Sequence, residues 1–531
     1  GETEAGSTLV VPGGAGAPGD YLYGSMPLND LWNGMWGIFR VPAKRVADLQ
    51  PLPTNAAPVT GKPGEEWPAL RPGAVPSAPK SAPSPCPKGA TPRAYRLSIV
   101  AQDVVYDRAG DHDPKGVVYV LDSDLDTAGS PKAGTATKPL FLRANEGDCL
   151  TLTLTNRLPK DGVALGDGDP LNPVERIGDS GTASVSNLVG NTATSVVPSW
   201  PAGSRASIHP SGLVRSYAAT ADGASVGYNY DTTVAPGSSI TSTWYLDSRA
   251  IGVVNLADFG NLRTTRHHGA WAGLVVEPKG AVYLDPATQA EVTSGEQAVI
   301  RWKDASGAVR SYREFVADLQ DGLNLVDRNG RPVQDAAPPD VPTTDPGAEP
   351  ADPGTEPAGV VGMPDPEDQG EVGVNYRTEP FAGRIGAGGT SGTMADVFSS
   401  VVYGDPMTPV FRAYPNDPVM VRILNSQDLP RVHTFGITGH SWRYESYDAN
   451  SNVVTGQGGL DTGRVFNAGI CAGSNSPLDL TTATPTCPSD GRPGDYLYND
   501  RNFFHMLGGG AWGLLRVHST TQSDLKPLPT R

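Results

Sequence analysis

Two copies of one stretch of sequence lie near the two ends of the 531-residue chain. The first copy spans residues 19–41 and the second spans residues 494–517. Each begins Gly-Asp-Tyr-Leu-Tyr, continues through an irregular loop to a Trp-Gly pair, and ends with an apolar segment that closes in Arg-Val. Alternating large residues on both sides of a loop predict two paired β-strands. The repeat therefore predicts several β-sandwich domains, each closed by such a strand pair.

The repeated stretch resembles the last strands of a cupredoxin domain in the multicopper oxidase family. In that family the segment carries a His-Cys-His sequence followed by a further His, and these side chains hold copper. The corresponding positions of the second copy hold Asn499, Asp500, Arg501 and His505. Those of the first copy hold Gly24, Ser25, Met26 and Asp30. The resemblance implies that the scaffold is kept and that most copper ligands are replaced.

The length of the chain exceeds what one hydrophobic core usually supports, so we expect two or three domains. Its 64 glycines and 50 prolines suit turn-rich β-domains with stiff linkers. We predict an all-β fold of tandem cupredoxin-like Greek-key β-sandwiches joined by Pro-rich linkers. The predicted segments are the closing strands of an incomplete cupredoxin domain at 1–43, a linker at 44–92, a domain at 93–286, and a domain at 287–531 with an acidic, Pro-rich insertion at about 335–370.

Further family motifs follow in order within the first predicted domain. The alternating Leu and Thr residues of 148–156 predict a half-buried strand. The stretches 207–213 and 252–278 resemble the two motifs that each carry a His-x-His pair in the family. In the first of them Ser211 stands where the second histidine belongs, beside His209. In the second, the three positions hold Ala257, Asp258 and Phe259.

The second predicted domain repeats this order. Residues 409–425 repeat the strand unit of the first domain, and residues 432–442 resemble the next histidine motif of the family. Two other stretches, 222–229 and 375–381, resemble large bacterial multi-domain members, among them manganese oxidase-like proteins. Several motifs in the right order make the resemblance specific.

Enzymes of this family oxidise a reductant at a type 1 copper ion and reduce dioxygen at a trinuclear copper cluster. A type 1 site needs a thiolate and two imidazoles, and the cluster takes four His-x-His pairs. This chain has 8 histidines and no His-x-His pair. Copper is therefore implied for the family, but we expect that this chain does not bind it and is inactive as an oxidase on its own.

One partial metal site is conceivable in the second domain. His433 and His505 align with the two type 1 histidines, and Asp500 aligns with the cysteine. Two imidazoles and a carboxylate could hold a harder divalent metal ion, so these three residues are candidate metal ligands. The alternative is that both histidines are hydrogen-bonded remnants in a sandwich core.

The remaining histidines give weaker signals. His209 lacks its pair partner, so we interpret it as a remnant. His267 and His268 are adjacent and would point to opposite faces of a strand. They could then not chelate one ion together.

The four cysteines are an even and sparse set, which fits two disulfides in an oxidising compartment; four buried free thiols are the alternative. We predict the pairs Cys86–Cys149 and Cys471–Cys487. No apolar run is long enough to span a membrane. A net charge of −16 argues against nucleic-acid binding, which needs clustered Lys and Arg. We expect a secreted or extracellular protein, with a bacterial cell surface as one location.

Two functional interpretations remain open. In one, the chain is the C-terminal portion of a secreted multicopper oxidase-like protein whose copper is held by upstream domains. In the other, it is a non-catalytic structural or interaction protein built from degenerate cupredoxin domains in an extracellular assembly. The chain starts with Gly1, so we expect a processed or truncated product. Since two strands cannot bury an apolar face alone, residues 1–43 should be completed by an upstream fragment or by neighbouring copies.

Overall fold

The computed structural model describes residues 18–24, 34–42, 49–50, 52, 84–132, 137–160, 204–211, 221–261, 265–266, 268–304, 306–323, 325–331, 333, 371–385, 393–426, 433–448, 450–460, 463–480, 487–501 and 506–529. The predicted insertion at 335–370 and most of the predicted linker at 44–92 lie outside these ranges. The described residues form 25 strands and only short helices. The all-β fold class is confirmed.

The first part of the chain forms a hairpin and a sandwich, which we call the first sandwich. The hairpin consists of β1 (Gly19–Gly24) and β2 (Trp36–Val41). The strands that follow are β3 (Thr91–Ala101), β4 (Val104–Val105), β5 (His112–Asp113), β6 (Val117–Leu121), β7 (Phe141–Asn145), β8 (Asp148–Asn156), β9 (His209–Ser211), β10 (Ser239–Tyr245), β11 (Gly252–Ala257) and β12 (Trp271–Glu277).

The second part of the chain forms a second sandwich. Its strands are β13 (Val282–Leu284), β14 (Gln297–Lys303), β15 (Val309–Leu323), β16 (Glu371–Val374), β17 (Val410–Ala413), β18 (Pro418–Asn425), β19 (His433–Ile437), β20 (Trp442–Arg443), β21 (Val453–Val454), β22 (Gly456–Leu460), β23 (Val465–Cys471), β24 (Gly494–Asp500) and β25 (Trp512–Val517). Two short helices, α1 (Phe381–Ile385) and α2 (Ser400–Tyr403), lie between β16 and β17.

Each sandwich consists of two mixed sheets that follow the same plan. In the first, the sheet orders are β10-β8-β3-β6 and β7-β12-β11-β9. In the second, they are β13-β14-β15-β18-β23, with β16 on β15, and β17-β25-β24-β19-β22. The parallel pair β3–β8 corresponds to β15–β18, and the parallel pair β7–β12 corresponds to β17–β25. The fold is therefore a tandem of cupredoxin-like sandwiches, as predicted; the domain limits at 286 and 287 stay a prediction.

Side-chain alternation builds the two cores. Along β8, the side chains of Leu150, Leu152 and Leu154 are buried, whereas the intervening threonines are only half-buried. This is the period of two that a strand requires when one of its faces packs inward. Each fully buried leucine contributes roughly 1.5–3 kcal/mol, so one strand of this kind supplies a substantial part of the stability of its sandwich.

The two sandwiches pack against each other through a shared apolar cluster. Phe141, Trp271 and Val275 of the first sandwich meet Val316 and Leu424 of the second in one buried apolar cluster. Tyr376 also joins this cluster and packs on Trp271, with ring centroids 4.5 Å apart. The interface is therefore a hydrophobic core in its own right.

A group of buried charges lies at the same interface, and we call it the charge cluster. It consists of Arg143 on β7, Glu277 on β12, Glu314 on β15 and Arg422 on β18, all fully buried. Arg422 donates to Glu277 at 2.5 Å and to Glu314 at 3.1 Å, and Arg143 donates to Glu314. Burial disfavours the ionised carboxylate of Glu314, but Arg143, a hydrogen bond with Glu277 and Arg422 together outweigh it and lower its pKa to about 2. The cluster joins both sandwiches by charge-assisted bonds.

The hairpin of β1 and β2 forms a two-stranded sheet of its own and lies against the first sandwich. Leu22 packs against Ala224, Ala257 and Phe259. Among the described residues, no helix is long and apolar enough to cross a membrane.

Candidate functional site

The structure brings two of the three predicted metal ligands together. β19 and β24 are antiparallel neighbours, and this pairing places His433 near Asp500. Nδ1 of His433 donates to Oδ2 of Asp500 over 2.6 Å, and Thr434 donates its backbone N–H to Oδ1 over 3.1 Å. Both side chains are fully buried. His505 lies outside the described residues, so the three-residue site stays a prediction.

A further carboxylate faces the other ring nitrogen of His433. Oδ2 of Asp321, at the end of β15, lies 3.9 Å from Nε2. Asp321 is buried as well, so the imidazole lies between two carboxylates. Asp500 fixes the ring orientation through Nδ1, as a hydrogen-bonded carboxylate does for many metal-binding histidines. The remaining nitrogen then faces Asp321.

Sequence reasoning missed Asp321. Nothing in the spacing of Asp321 and His433, 112 residues apart in the printed sequence, indicates that they meet. In the described part of the chain, no three His, Cys, Asp or Glu side chains form a group that could hold a metal ion.

The neighbouring histidine of this motif has a structural role. The ring of His440 donates from Nδ1 to the carbonyl of Thr438 at 3.0 Å, and its Nε2 accepts the backbone N–H of Gly473 at 3.0 Å. Both ring nitrogens are used, and burial lowers the pKa of His440. The side chain therefore links two loops as a neutral imidazole.

In the first sandwich, the positions of the first histidine motif lie beside those of the second. β9 pairs with β11, so that His209 lies opposite Ala257 and Ser211 lies opposite Asn255. The ring of His209 packs on that of Phe259 with centroids 4.0 Å apart, and its Nδ1 donates to the carbonyl of Asp222 at 2.5 Å. Burial lowers the pKa of His209 to about 4. It is a neutral, packed side chain.

Asp258 occupies the middle position of the second motif and is held by a local network. Its carboxylate accepts hydrogen bonds from the backbone N–H groups of Ser207 and Gly260, both at 2.8 Å, and from the hydroxyl of Thr265 at 2.6 Å. Burial raises the pKa of Asp258 to about 6, although these bonds act in the opposite direction. The carboxylate closes the loop before β12.

His268 lies in a turn rather than in the strand that was expected for the two adjacent histidines. Gly269, with φ of +102°, turns the chain just before β12, a conformation that glycine adopts readily. Nδ1 of the buried His268 lies 2.7 Å from Oδ2 of Asp113. His267 lies outside the described residues.

Both predicted disulfides are confirmed. Cys86 is bonded to Cys149, which ties the end of the linker to β8, and Cys471 is bonded to Cys487 after β23. These four are all the cysteines of the chain, and none is free. No thiolate is left to bind copper, so the residues present do not fit a type 1 site.

The two sandwiches also meet through a group of buried polar side chains that sequence reasoning missed. Ser426 donates its backbone N–H to Oδ1 of Asp318 at 3.0 Å, and its carbonyl accepts from Arg266 at 3.4 Å. Asn255 donates to the carbonyl of Asn425 at 3.2 Å. Burial raises the pKa of Asp318 to about 8, despite the hydrogen bonds from Ser426. Asp318 and Ser426 both belong to the second sandwich, so this carboxyl group fixes the segment that receives Arg266 and Asn255 of the first sandwich.

Comparison with known proteins gives structural neighbours only. No protein-family model and no curated protein matches the chain. Among solved structures, it is similar to a multicopper oxidase at 15% identity and a TM-score of 0.41, over 81% of this chain and 91% of that one. It is similar to a blue copper oxidase from Nitrosomonas europaea at 13% identity and a TM-score of 0.40, over 80% and 86%. A copper nitrite reductase from Nitrosomonas europaea gives 12% identity and a TM-score of 0.40, over 82% and 97%. The likeness is to multicopper oxidases and a copper nitrite reductase, and it is a likeness of fold alone.

Proposed function

We propose that this chain is the C-terminal portion of a secreted multicopper oxidase-like protein and that its own residues serve as a copper-free scaffold. One observation carries the proposal: all four cysteines are consumed in disulfides. A type 1 copper ion needs a soft thiolate beside its imidazoles. Any oxidase chemistry of the complete protein would then belong to upstream domains.

The replaced ligand positions support the same proposal. A surviving metal site would keep donor atoms that are free to bind, whereas these positions hold side chains that are already engaged. His209 is packed on Phe259, and Asp258 accepts hydrogen bonds from Gly260 and Thr265 of its own loop and from Ser207 before β9. Ala257 offers no donor atom. The positions thus stabilise the sandwich.

Secretion is proposed from the disulfides. Cystine bridges persist in oxidising compartments and are rare in the reducing cytosol. Cys86–Cys149 fastens the segment before β3 to the first sandwich, and Cys471–Cys487 closes a loop of the second. Two bridges at structural positions suit a protein that folds outside the cytosol.

The test is the mass and copper content of the protein as isolated from its source, with the recombinant 531-residue chain as a control. The proposal expects a species heavier than the 55.5 kDa of this chain, with copper that the recombinant chain does not bind. A copper-free species built only from this chain would favour the non-catalytic assembly instead. Stoichiometric copper in the recombinant chain would refute the proposal.

A further inference from the structure

The hairpin of β1 and β2 has the same geometry as the hairpin that closes the second sandwich. Gly19 pairs with Val41 in the first hairpin, and Gly494 pairs with Val517 in the second. Counting from these pairs, each residue of the first hairpin has a counterpart in the second. The second hairpin therefore shows which strands and side chains surround such a hairpin in a complete sandwich.

One face of the first hairpin is docked on the first sandwich. The backbone N–H of Asp20 donates to Asn229 at 2.8 Å, and the side-chain amide of Asn229 donates back to the carbonyl of Asp20 at 2.7 Å. The carboxylate of Asp20 accepts the backbone N–H of Tyr228 at 2.7 Å and a bidentate pair of bonds from Arg40 at 2.6 and 2.9 Å. The guanidinium of Arg40 also lies 4.7 Å from the ring centre of Tyr228.

This docking needs a glycine in the loop that receives it. Gly227 has φ of +54°, and a Cβ at this position would collide with the carboxylate of Asp20. The contact therefore depends on the sequence of the loop 222–229. It fixes the hairpin in place, because Asp20 is almost fully buried and all its polar groups are used.

The opposite face of the hairpin carries two exposed aromatic side chains, Tyr23 and Phe39. Side chains alternate between the two faces of a strand, so Tyr23 and Phe39 point away from Asp20 and Leu22. Tyr23 is 62% exposed and Phe39 is 38% exposed. Their counterparts Tyr498 and Leu515 are both 1% exposed, because they lie in the core of the second sandwich. The face that carries Tyr23 and Phe39 therefore corresponds to a core face.

The second sandwich shows which elements cover this face. β17 lies parallel to β25, β19 lies antiparallel to β24, and the ring of Phe411 on β17 stacks on Tyr498 with centroids 5.0 Å apart. Among the described residues, no strand occupies the corresponding places beside β1 and β2. An unpaired hairpin with an apolar face is marginal in water, and its edges invite pairing.

We propose that residues 19–41 are the closing strands of a third cupredoxin-like sandwich, whose other strands precede them in the same precursor. That sandwich would supply a parallel strand beside β2, an antiparallel strand beside β1, and an aromatic ring on Tyr23. It would be held to the first sandwich through Asp20. Strand addition of this kind combines main-chain bonds with side-chain packing.

A second copy of this chain does not fit the same place. Its two sandwiches already contain their own closing strands, β11–β12 and β24–β25. The order of elements also favours a preceding partner, because β24 and β25 are the last strands of their sandwich. The fit of a third sandwich to this hairpin does not depend on whether the protein binds copper.

The test compares amide hydrogen exchange of residues 19–24 and 36–41 in the isolated 531-residue chain and in the protein expressed from its complete reading frame. We expect exchange slower by at least about 100-fold in the complete protein, since the hairpin edges and core face become buried. Equal rates in the two proteins would overturn the proposal. So would a reading frame with no sandwich before residue 19, or protection that appears in the isolated chain as its concentration rises.

Two variants test the two faces of the hairpin separately. The double variant Tyr23→Ser, Phe39→Ser should leave the Tm of the isolated chain unchanged, because both side chains are already exposed, yet abolish the slow exchange in the complete protein. The control Asp20→Ala should release the hairpin from the first sandwich and speed its exchange in the isolated chain. If the double variant kept its slow exchange in the complete protein, the face that carries Tyr23 and Phe39 would not be the contact.

Discussion

Replacing Arg422 with methionine should strongly destabilise the contact between the two sandwiches. Arg422 is fully buried and donates to Glu277, Glu314, Tyr447 and Asn467. Methionine has a comparable apolar stem, so the change removes the charge and the donors with little loss of volume. Glu314 would then keep its bond from Arg143, whereas Glu277 would lose the guanidinium that donates to it.

The expected decrease in stability can be worked out from the loss of the arginine charge. Removing one partner of a buried ion pair costs about 3–5 kcal/mol, because the other charge is left uncompensated. For domains of 150–250 residues, 1 kcal/mol shifts the Tm by about 2–4 °C. The variant should therefore unfold roughly 10 °C lower than the parent. Since the charge cluster joins both sandwiches, calorimetry should also resolve two transitions that are merged or closer together in the parent.

Two controls make the result interpretable. The change Arg249→Met removes an exposed arginine paired with Asp247, and it should leave the Tm unchanged, because exposed pairs contribute little. The double variant Arg422→Met, Glu277→Leu should recover part of the loss, since Arg143 and Glu314 remain as a neutral pair. The reasoning would be refuted if Arg422→Met lay within 2 °C of the parent, a shift of about 1 kcal/mol or less, or if the double variant lost the sum of both single effects.

Three further predictions use other features. The pKa of Asp318 is raised to about 8 in the folded protein from an ordinary value of 3.8, so the folded state holds its proton more tightly and the free energy of unfolding should fall as the pH rises from about 4 to about 8. In urea denaturation, Asp318→Asn should remove this part of the slope, and an unchanged slope would contradict the assignment. Replacing both cysteines of Cys86–Cys149 with serine should cost about 4 kcal/mol, and of Cys471–Cys487 about 3 kcal/mol, because the first closes the longer loop; a reversed order would count against the chain-entropy reasoning. His209 should stay neutral down to about pH 4 because of its burial, and an imidazole NMR titration with a midpoint near its ordinary value of 6.5 would show that the ring is accessible.

Much of the fold could be predicted from local sequence patterns. The repeat of 19–41 and 494–517 gave two hairpins with the same register. The alternation of Leu and Thr in 148–156 gave a strand with one buried face. These succeed because strand periodicity and turn residues are properties of short segments.

The contacts between distant segments could not be predicted in this way. Arg143 lies between the apolar residues Leu142 and Ala144 of β7, and nothing near it in the sequence indicates that it pairs with Glu314, 171 residues away. The same holds for Asp20 and Asn229, which are 209 residues apart. Such pairs form only when the sandwiches and the hairpin pack together. The residue pattern of one short segment does not indicate which distant segment it will contact. Asp321 beside His433 was missed for the same reason.

The claim that this chain forms a copper-free scaffold is tested most directly by loading the purified 531-residue chain with Cu(II) and recording its absorption spectrum and metal content. With every cysteine in a disulfide, we predict no intense blue absorption and no dioxygen-dependent oxidation of phenols or Mn(II). Any copper bound at His433 should be nearly colourless, because carboxylate and imidazole donors lack the thiolate that gives a type 1 site its character. An intense blue band that accompanies one bound copper ion and disappears in His433→Ala would contradict the account.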